Sequence, residues 1–326
     1  MQRAAFIYNP IAGPRRQDRR AAVEQAAAVL RDARVATELV ETRGPHTASD
    51  QAMEMIAAGC DTIIACGGDG TIHECMQQMV ETRSPAALGV LPFGTGNALA
   101  ADLRMPRDPA AAAHVLLRSE PRRIAVGRLE PETGDAAQGR YFIVTAGVGG
   151  DAHMLYSLNF ETKQRHGMNA YYAQAAQIFL SHDFPAFLVE FDDEHSGSLR
   201  TEVVSQVLAV RISNFGGLIR GLAPGASLQR DDMRLVLFRT PRKSAFLFYM
   251  LGRLLQRKWL GPGVELVWAH RAICRPLPGD AQLGRPWPRQ NKAARIYAEA
   301  DGEVSGRLPV RLSSVPDALT LLIPSF

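Results

Sequence analysis

Through the first 125 residues, short apolar runs alternate with longer stretches in which apolar positions recur at helical spacing. The runs near 4–8, 35–40, 61–66 and 88–91 predict strands; the stretches over roughly 17–33, 47–58, 71–82, 97–103 and 109–118 predict helices. Such alternation implies a parallel sheet covered by helices on both faces. The pattern then changes. Ile124 to Leu129, Tyr141 to Ala146, Phe187 to Phe191, Val203 to Ile212, Arg234 to Phe238, Val264 to Ile273 and Ala294 to Ala300 read as strands, with helical interruptions near 153–182 and 242–258. The chain therefore divides into an α/β domain over 1–125 with a parallel sheet and a β-rich, sandwich-like second domain over 126–326. The boundary near Ile124–Gly127 is a change of pattern, not a flexible linker.

Three turns at the carboxyl ends of predicted strands carry the candidate chemistry. Asn9-Pro10-Ile11-Ala12-Gly13 follows the first strand and leads into the basic run Arg15, Arg16, Arg19, Arg20. Gly67-Gly68-Asp69-Gly70-Thr71 follows the third, and Pro92-Phe93-Gly94-Thr95-Gly96-Asn97 the fourth. Open α/β sheets bind ligands at that edge, and glycines there let backbone approach a charged group. Amides at a helix start attract phosphate. An acid among phosphate-cradling glycines is awkward unless a metal ion or a substrate hydroxyl sits beside it, so Asp69 points to phosphoryl transfer.

Composition narrows the setting. The 326 residues suffice for two cores, and 46% apolar content is that of a globular protein. No run of eighteen apolar residues and no amino-terminal signal segment is present, which leads us to expect a cytoplasmic protein. Cys60, Cys66, Cys75 and Cys274 lack metal-ligand spacing and read as reduced thiols. The net charge of +4 is modest, and no nucleic-acid-binding motif accompanies it.

The ordered set Asn9-Pro10-x-x-Gly13, Gly67-Gly68-Asp69-Gly70-Thr71 and Pro92-x-Gly94-Thr95-x-Asn97 resembles the nucleotide-binding loops of the diacylglycerol kinase catalytic-domain family, which includes bacterial soluble lipid kinases, sphingosine kinases and ceramide kinases. The resemblance continues through Ser213-Asn214-Phe215-Gly216-Gly217, Ala223-Pro224-Gly225-Ala226 and Asp301-Gly302-Glu303. The aspartate-bearing glycine turn alone is shared with NAD kinases and phosphofructokinases. The family implies ATP and Mg2+ as cofactors and an active site in the cleft between domains. It also implies a carboxyl-terminal strand, about 317–326, returning to the first domain.

Carried over residue by residue, the resemblance gives Thr71 and Thr95 to the nucleotide phosphates and Thr42 to the nucleotide, with Glu74 completing the Gly-Gly-Asp-Gly-Thr-x-x-Glu pattern. Asn9 is expected to fix its own turn, and Arg15, Arg16 and Arg19 are unranked candidates for γ-phosphate charge. Glu303 is the first choice for the base that takes the lipid hydroxyl proton. Asp301 is the second, with orienting the site or assisting magnesium as its alternative, and Asp69 has a competing claim. Family members hold a structural magnesium near an Asp-Gly pair. Here Arg230-Asp231-Asp232-Met233 stands at that place, with Asp231 the expected ligand and a solvated acidic turn the alternative.

The expected function is ATP-dependent phosphorylation of the hydroxyl of diacylglycerol or a related, for example sphingoid, lipid, with transient contact at the inner face of the membrane. The alternatives are an NAD-kinase-like enzyme for another hydroxyl acceptor and a non-catalytic nucleotide or lipid binder. Ser244 to Leu260 reads as a helix packed on the β-rich domain or as an interfacial amphipathic helix. The Pro- and Gly-rich stretch 275–293 reads as a membrane-touching segment or a disordered insertion.

Overall fold

Four short strands open the chain: β1 (Arg3–Tyr8), β2 (Ala36–Glu41), β3 (Thr62–Gly67) and β4 (Ala87–Pro92). They lie parallel in the order β2-β1-β3-β4. Every residue of β3 and β4 is buried, which is why both read as unbroken apolar runs. Between and after them come α1 (Arg19–Asp32), α2 (Ala48–Ala57), α3 (Asp69–Glu81), α4 (Ala98–Asp102) and α5 (Pro109–Arg118). Asp18 caps α1 by accepting from Ala21 N at 3.1 Å, and Asp108 caps α5 by accepting from Ala111 N at 2.8 Å. Helix α1 packs with α5 and α2 with α3, closing one hydrophobic core around the parallel strands.

The remaining elements are β5 (Glu120–Pro131), β6 (Arg140–Phe142), β7 (Thr145–Gly149), β8 (Phe187–Asp193), β9 (Ser198–Val204), β10 (Gln206–Val210), β11 (Met233–Phe238), α6 (Lys243–Leu254), β12 (Val264–Ala269), β13 (Arg271–Pro276), β14 (Tyr297–Ala300), β15 (Glu303–Arg307) and β16 (Val310–Ile323). This computed structural model describes residues 1–10, 18–94, 96–132, 139–150, 184–216, 221–257, 259–278, 287 and 295–325. Gly13, Arg15, Arg16, Thr95, Gly217, Lys258, the expected helix near 153–182 and most of 275–293 lie outside the described residues.

A six-stranded antiparallel sheet, β12-β11-β10-β7-β14-β15, faces the far half of a ten-stranded sheet. Phe142, Phe187, Phe191 and Leu312 from the larger sheet meet Val207, Leu235 and Ala298 from the smaller one in a second core. The α/β domain followed by a β-rich sandwich, read from the sequence, is the observed architecture. The larger sheet is continuous across both halves. Strand β16 pairs antiparallel with β13 near its start and parallel with β4 at Thr320 and Leu321, while β5 runs antiparallel along its length.

Three segments read as single strands are each two strands that change sheet. Tyr141–Ala146 divides into β6 and β7, Val203–Ile212 into β9 and β10, and Val264–Ile273 into β12 and β13. Apolar residues face the same core on both sides of each corner, so the pattern runs through it unbroken. Polar bonds mark the corners instead. Ser205 N and Oγ donate to Phe238 O and Thr240 O at 2.8 and 2.7 Å, and Ser314 N donates to His270 O at 2.7 Å. The corner between β6 and β7 is held by Asp301, described below.

Candidate active site

The order β2-β1-β3-β4 reverses direction between β1 and β3, and the carboxyl-end crevice at such a reversal is where open sheets bind ligands. Asn9 and Pro10 leave β1 there, and Gly68 and Asp69 leave β3. Thr42 follows β2, and its amide donates to Tyr8 O at 2.9 Å. The glycine turns after β3 and β4 lie against each other. Phe93 N and Gly94 N both donate to Gly67 O, at 2.9 and 3.2 Å. A Cβ on Gly94 would fall on the Gly68 Cα, and one on Gly67 would overlap the Thr71 side chain, so only glycine permits this approach. Gly70, exposed with open space around it, leaves the first turn of α3 accessible to an anion.

Asn97 and Glu74 brace this arrangement. Asn97 has a left-handed backbone (φ 57°); its side chain accepts from Gly94 N at 2.9 Å and donates to Gly94 O at 2.7 Å, closing the turn on itself. Glu74 accepts from His46 N and Ala48 N, each at 3.3 Å, and so fixes the loop that follows Thr42. Arg19 begins α1 with its guanidinium over the Phe93 ring at 5.3 Å, which places it beside the turn after β4.

Asp69 stands at the first turn of α3. Burial pushes its carboxyl above the usual carboxylate range; the backbone amides of Leu99, Ala98 and Asn97 oppose that shift, and the charge of Asp301 adds to it. Its Oδ1 is buried and has no hydrogen-bond partner. One oxygen held by a helix start and one left open is the arrangement expected of a carboxylate that waits for a cation or a hydroxyl.

Asp301 and Glu303, neighbours in sequence, do different things. Asp301 (φ 49°) and Gly302 (φ 85°) form the two-residue left-handed turn that joins β14 to β15. The Asp301 carboxylate accepts from Ile143, Val144 and Thr145 N, each at 2.9 Å, and lies 3.4 Å from His73 Nδ1. Its side chain is 2% exposed. With three amides and an imidazole around it, Asp301 holds the β6–β7 corner to α3, which fits the orienting alternative expected for it. Glu303 is 28% exposed and paired with Arg140. Both line a cleft of about 600 Å3 that is also walled by His73, Gln77, Arg128 and Tyr141.

Helix α3 supplies a seam that the motif reading missed. Asp69, His73, Gln77 and Glu81 recur every four residues along one face. His73 meets Asp301, Gln77 Nε2 donates to Tyr141 O at 2.9 Å while its Oε1 accepts from Tyr141 N at 3.0 Å, and Glu81 accepts from the Tyr141 hydroxyl at 2.6 Å. The polar stripe at helical spacing was the available signal. Arg128 and Arg140 gave none, because only the β5–β6 register brings them to the cleft. Ser213 and Asn214 likewise clamp the halves together, with both amides and the Ser213 hydroxyl donating to Asp102 Oδ1 at 2.7–3.0 Å.

The turn expected to hold structural magnesium does not fit that ion. Asp232 is buried, and its oxygens accept from Arg230 Nε and Nη2 at 2.6 and 2.5 Å. Burial alone would raise the Asp232 carboxyl, but the Arg230 guanidinium outweighs it and holds it below the ordinary value. The carbonyls of Arg230 and Asp232, with that of Ala125, accept from the guanidinium of Arg211, which is 1% exposed. Burial pulls the Arg211 guanidinium down to about 10, still charged at neutral pH. Met233 is a core residue of β11, and Asp231 is exposed. Two arginines thus serve the oxygens that a metal would take.

A doubly wound domain with abutting glycine turns, joined to a β-sandwich, is an architecture that solved structures of other proteins share. The chain superposes on yeast NADH kinase with a TM-score of 0.51, 11% identity, and coverage of 100% of this chain and 84% of that one. It superposes on a diacylglycerol kinase from Bacillus anthracis str. Sterne with a TM-score of 0.69, 17% identity, and coverage of 99% and 97%. Residues 3–129 match the family model of the diacylglycerol kinase catalytic domain. A diacylglycerol kinase of Bacillus subtilis (strain 168) is 29% identical over 248 residues, 76% of this chain and 77% of its own length. Together these likenesses support a kinase of a lipid or small molecule.

Proposed function

We propose that the protein transfers the γ-phosphate of ATP to the hydroxyl of diacylglycerol or a closely related lipid. The observation that carries this reading is the pairing of the abutting glycine turns, where Asp69 keeps one buried oxygen unpartnered, with a cleft that holds Glu303 against Arg140. The open first turn of α3 and the Thr71 hydroxyl receive nucleotide phosphate. Asp69 Oδ1 would hold a divalent cation, which would supply charge neutralisation for the transferred group.

Glu303 takes the proton of the acceptor hydroxyl as the oxygen attacks phosphorus and the bond to the ADP oxygen breaks. Arg140 pairs with Glu303 and, once Glu303 turns to the hydroxyl, is free to meet phosphate oxygens. Asp301 positions this pair by fixing the turn from which Glu303 projects. The likeness to diacylglycerol kinases over both halves of the chain supports a lipid acceptor over a pyridine nucleotide.

The test is transfer of labelled γ-phosphate from ATP and magnesium to dispersed diacylglycerol, monoacylglycerol, sphingosine, ceramide and NADH. Labelling of diacylglycerol or another lipid well above NADH is expected. Labelling of NADH alone, or of none while ATP binds, would overturn the reading.

A further inference from the structure

Helix α6 has two apolar faces, and only one is covered. Ala245 and Tyr249 are buried against the outer face of the six-stranded sheet, where Phe238 meets the Tyr249 ring edge-on at 5.6 Å. On the other side Leu247, Phe248, Leu251, Leu254 and Leu255 are 41–53% exposed. Their spacing of one, four, seven and eight residues puts them on a single stripe. Trp259 and Leu260 extend it, and the Trp259 ring stacks on Phe248 at 5.1 Å. Of the ten exposed large apolar side chains among the described residues, seven belong to this one ridge. Scattered exposure is ordinary, but concentration marks a contact surface.

The ridge is preformed. Gly252 leaves room for Trp259 to close on the helix, since a Cβ there would stand 3.0 Å from the Trp259 Cβ. Arg253 turns inward and donates to Arg257 O and, at 3.2 Å, to Trp259 O, pinning the segment after the helix. Among the described residues no side chain covers these seven large apolar groups.

Charge selects the partner. Between residues 233 and 264 there are seven lysines and arginines and no aspartate or glutamate; Arg239 pairs with Glu202 and Glu265 and Arg253 is buried, which leaves the charge at the two ends of α6. Arg242 and Lys243 stand at the start of α6, where the helix dipole disfavours cations, and the first turn of the helix holds no acidic residue. Arg257 is exposed beyond its last turn. A second copy docked on this face would set these cations against themselves. An anionic bilayer instead offers acyl chains to the stripe and phosphates to its ends.

We propose that the α6 ridge docks flat on an anionic membrane surface, burying Leu247, Phe248, Leu251, Leu254, Leu255 and Trp259 among the outer acyl segments. The docking rests on the ridge alone and is independent of nucleotide. It is tested by sedimenting the full chain, without ATP, with vesicles of phosphatidylcholine alone or mixed with phosphatidylglycerol. Sedimentation with the mixed vesicles, weakened by salt, is expected.

Leu251→Ser combined with Leu255→Ser should lower that binding at least tenfold with the melting temperature unchanged. A second variant, Arg242→Gln with Arg257→Gln, should remove most of the preference for phosphatidylglycerol. Vesicle binding equal to that of the parent in both variants, or no binding by the folded parent, would overturn the proposal. A parent dimer abolished by the leucine variant would also overturn it, in favour of self-association. Transfer to a short-chain acceptor dispersed in water separates this claim from the kinase reading. The docking variants should retain it, and its absence in the parent would count against the kinase alone.

Discussion

Asp69, Asp301 and Glu303 are three carboxylates with three environments, and the environments assign their work. Asp301 is buried among amides, so Asp301→Ala should destabilise the fold by at least about 3 kcal/mol, read as a lowered melting temperature together with lost activity. Glu303→Gln should instead leave the melting temperature nearly unchanged and lower kcat about a hundredfold, the loss expected for a general base. Asp69 differs again. Its carboxyl is raised mainly by burial, so the folded state binds this proton more tightly than the unfolded chain does. The stability it contributes is complete below the ordinary carboxylate range and is lost as pH rises through the raised folded value. Asp69→Asn should therefore be at least as stable as the parent at pH 7, with the gap closing in acid, yet about a hundredfold slower. Melting curves from pH 4 to 8 check the sign. The motif reading found all three and ranked Glu303 first, but the backbone amides that distinguish them are not legible in the sequence.

At the scale of elements, the alternating half of the chain was legible to within two residues at nearly every strand and helix end, since apolar runs there are separated by real turns. The β-rich half was less so. Ser205 and His270 sit inside apolar runs that continue from one sheet to the other, and a corner facing the same core leaves no break in the pattern. Strands β9 and β15 are polar and were not anticipated; β9 is held by pairing to β8 and by Arg200, which bonds Asp193, Glu202 and Glu265 at 2.9–3.0 Å. The turn after Ala226 shows the same limit. Its acids suggested a metal, but Arg211 arrives from the end of β10, far off in sequence, to bond three carbonyls there. Removing divalent ions with a chelator should leave the melting temperature of the nucleotide-free protein unchanged. Arg211→Met should lower stability by roughly 2–4 kcal/mol by leaving those carbonyls without donors, and added magnesium should not restore it. A chelator-induced fall of several degrees would contradict this account.

Across the whole molecule, the β5–β16 ribbon and the polar stripe of α3 make one scaffold of two folding patterns. The ribbon carries both chain directions from the parallel strands into the sandwich. The stripe fixes how far Glu303 stands from the glycine turns. The order of the two folding patterns and the glycine turns were readable because each is local in sequence. The cleft was not, since Arg128, Arg140 and Tyr141 reach it only through strand pairing and Gln77 only through helix docking. The central claim, that glycine turns on one side and Glu303 on the other form a single phosphoryl-transfer site for a lipid hydroxyl, has a direct test. That test is single-turnover transfer of labelled γ-phosphate from ATP to dispersed diacylglycerol by the parent, Asp69→Asn and Glu303→Gln. The account predicts labelled lipid from the parent and at least a hundredfold slower transfer by each variant, with ATP still bound by Glu303→Gln. Parent-like transfer by Glu303→Gln, or no lipid labelling by the folded parent, would contradict it.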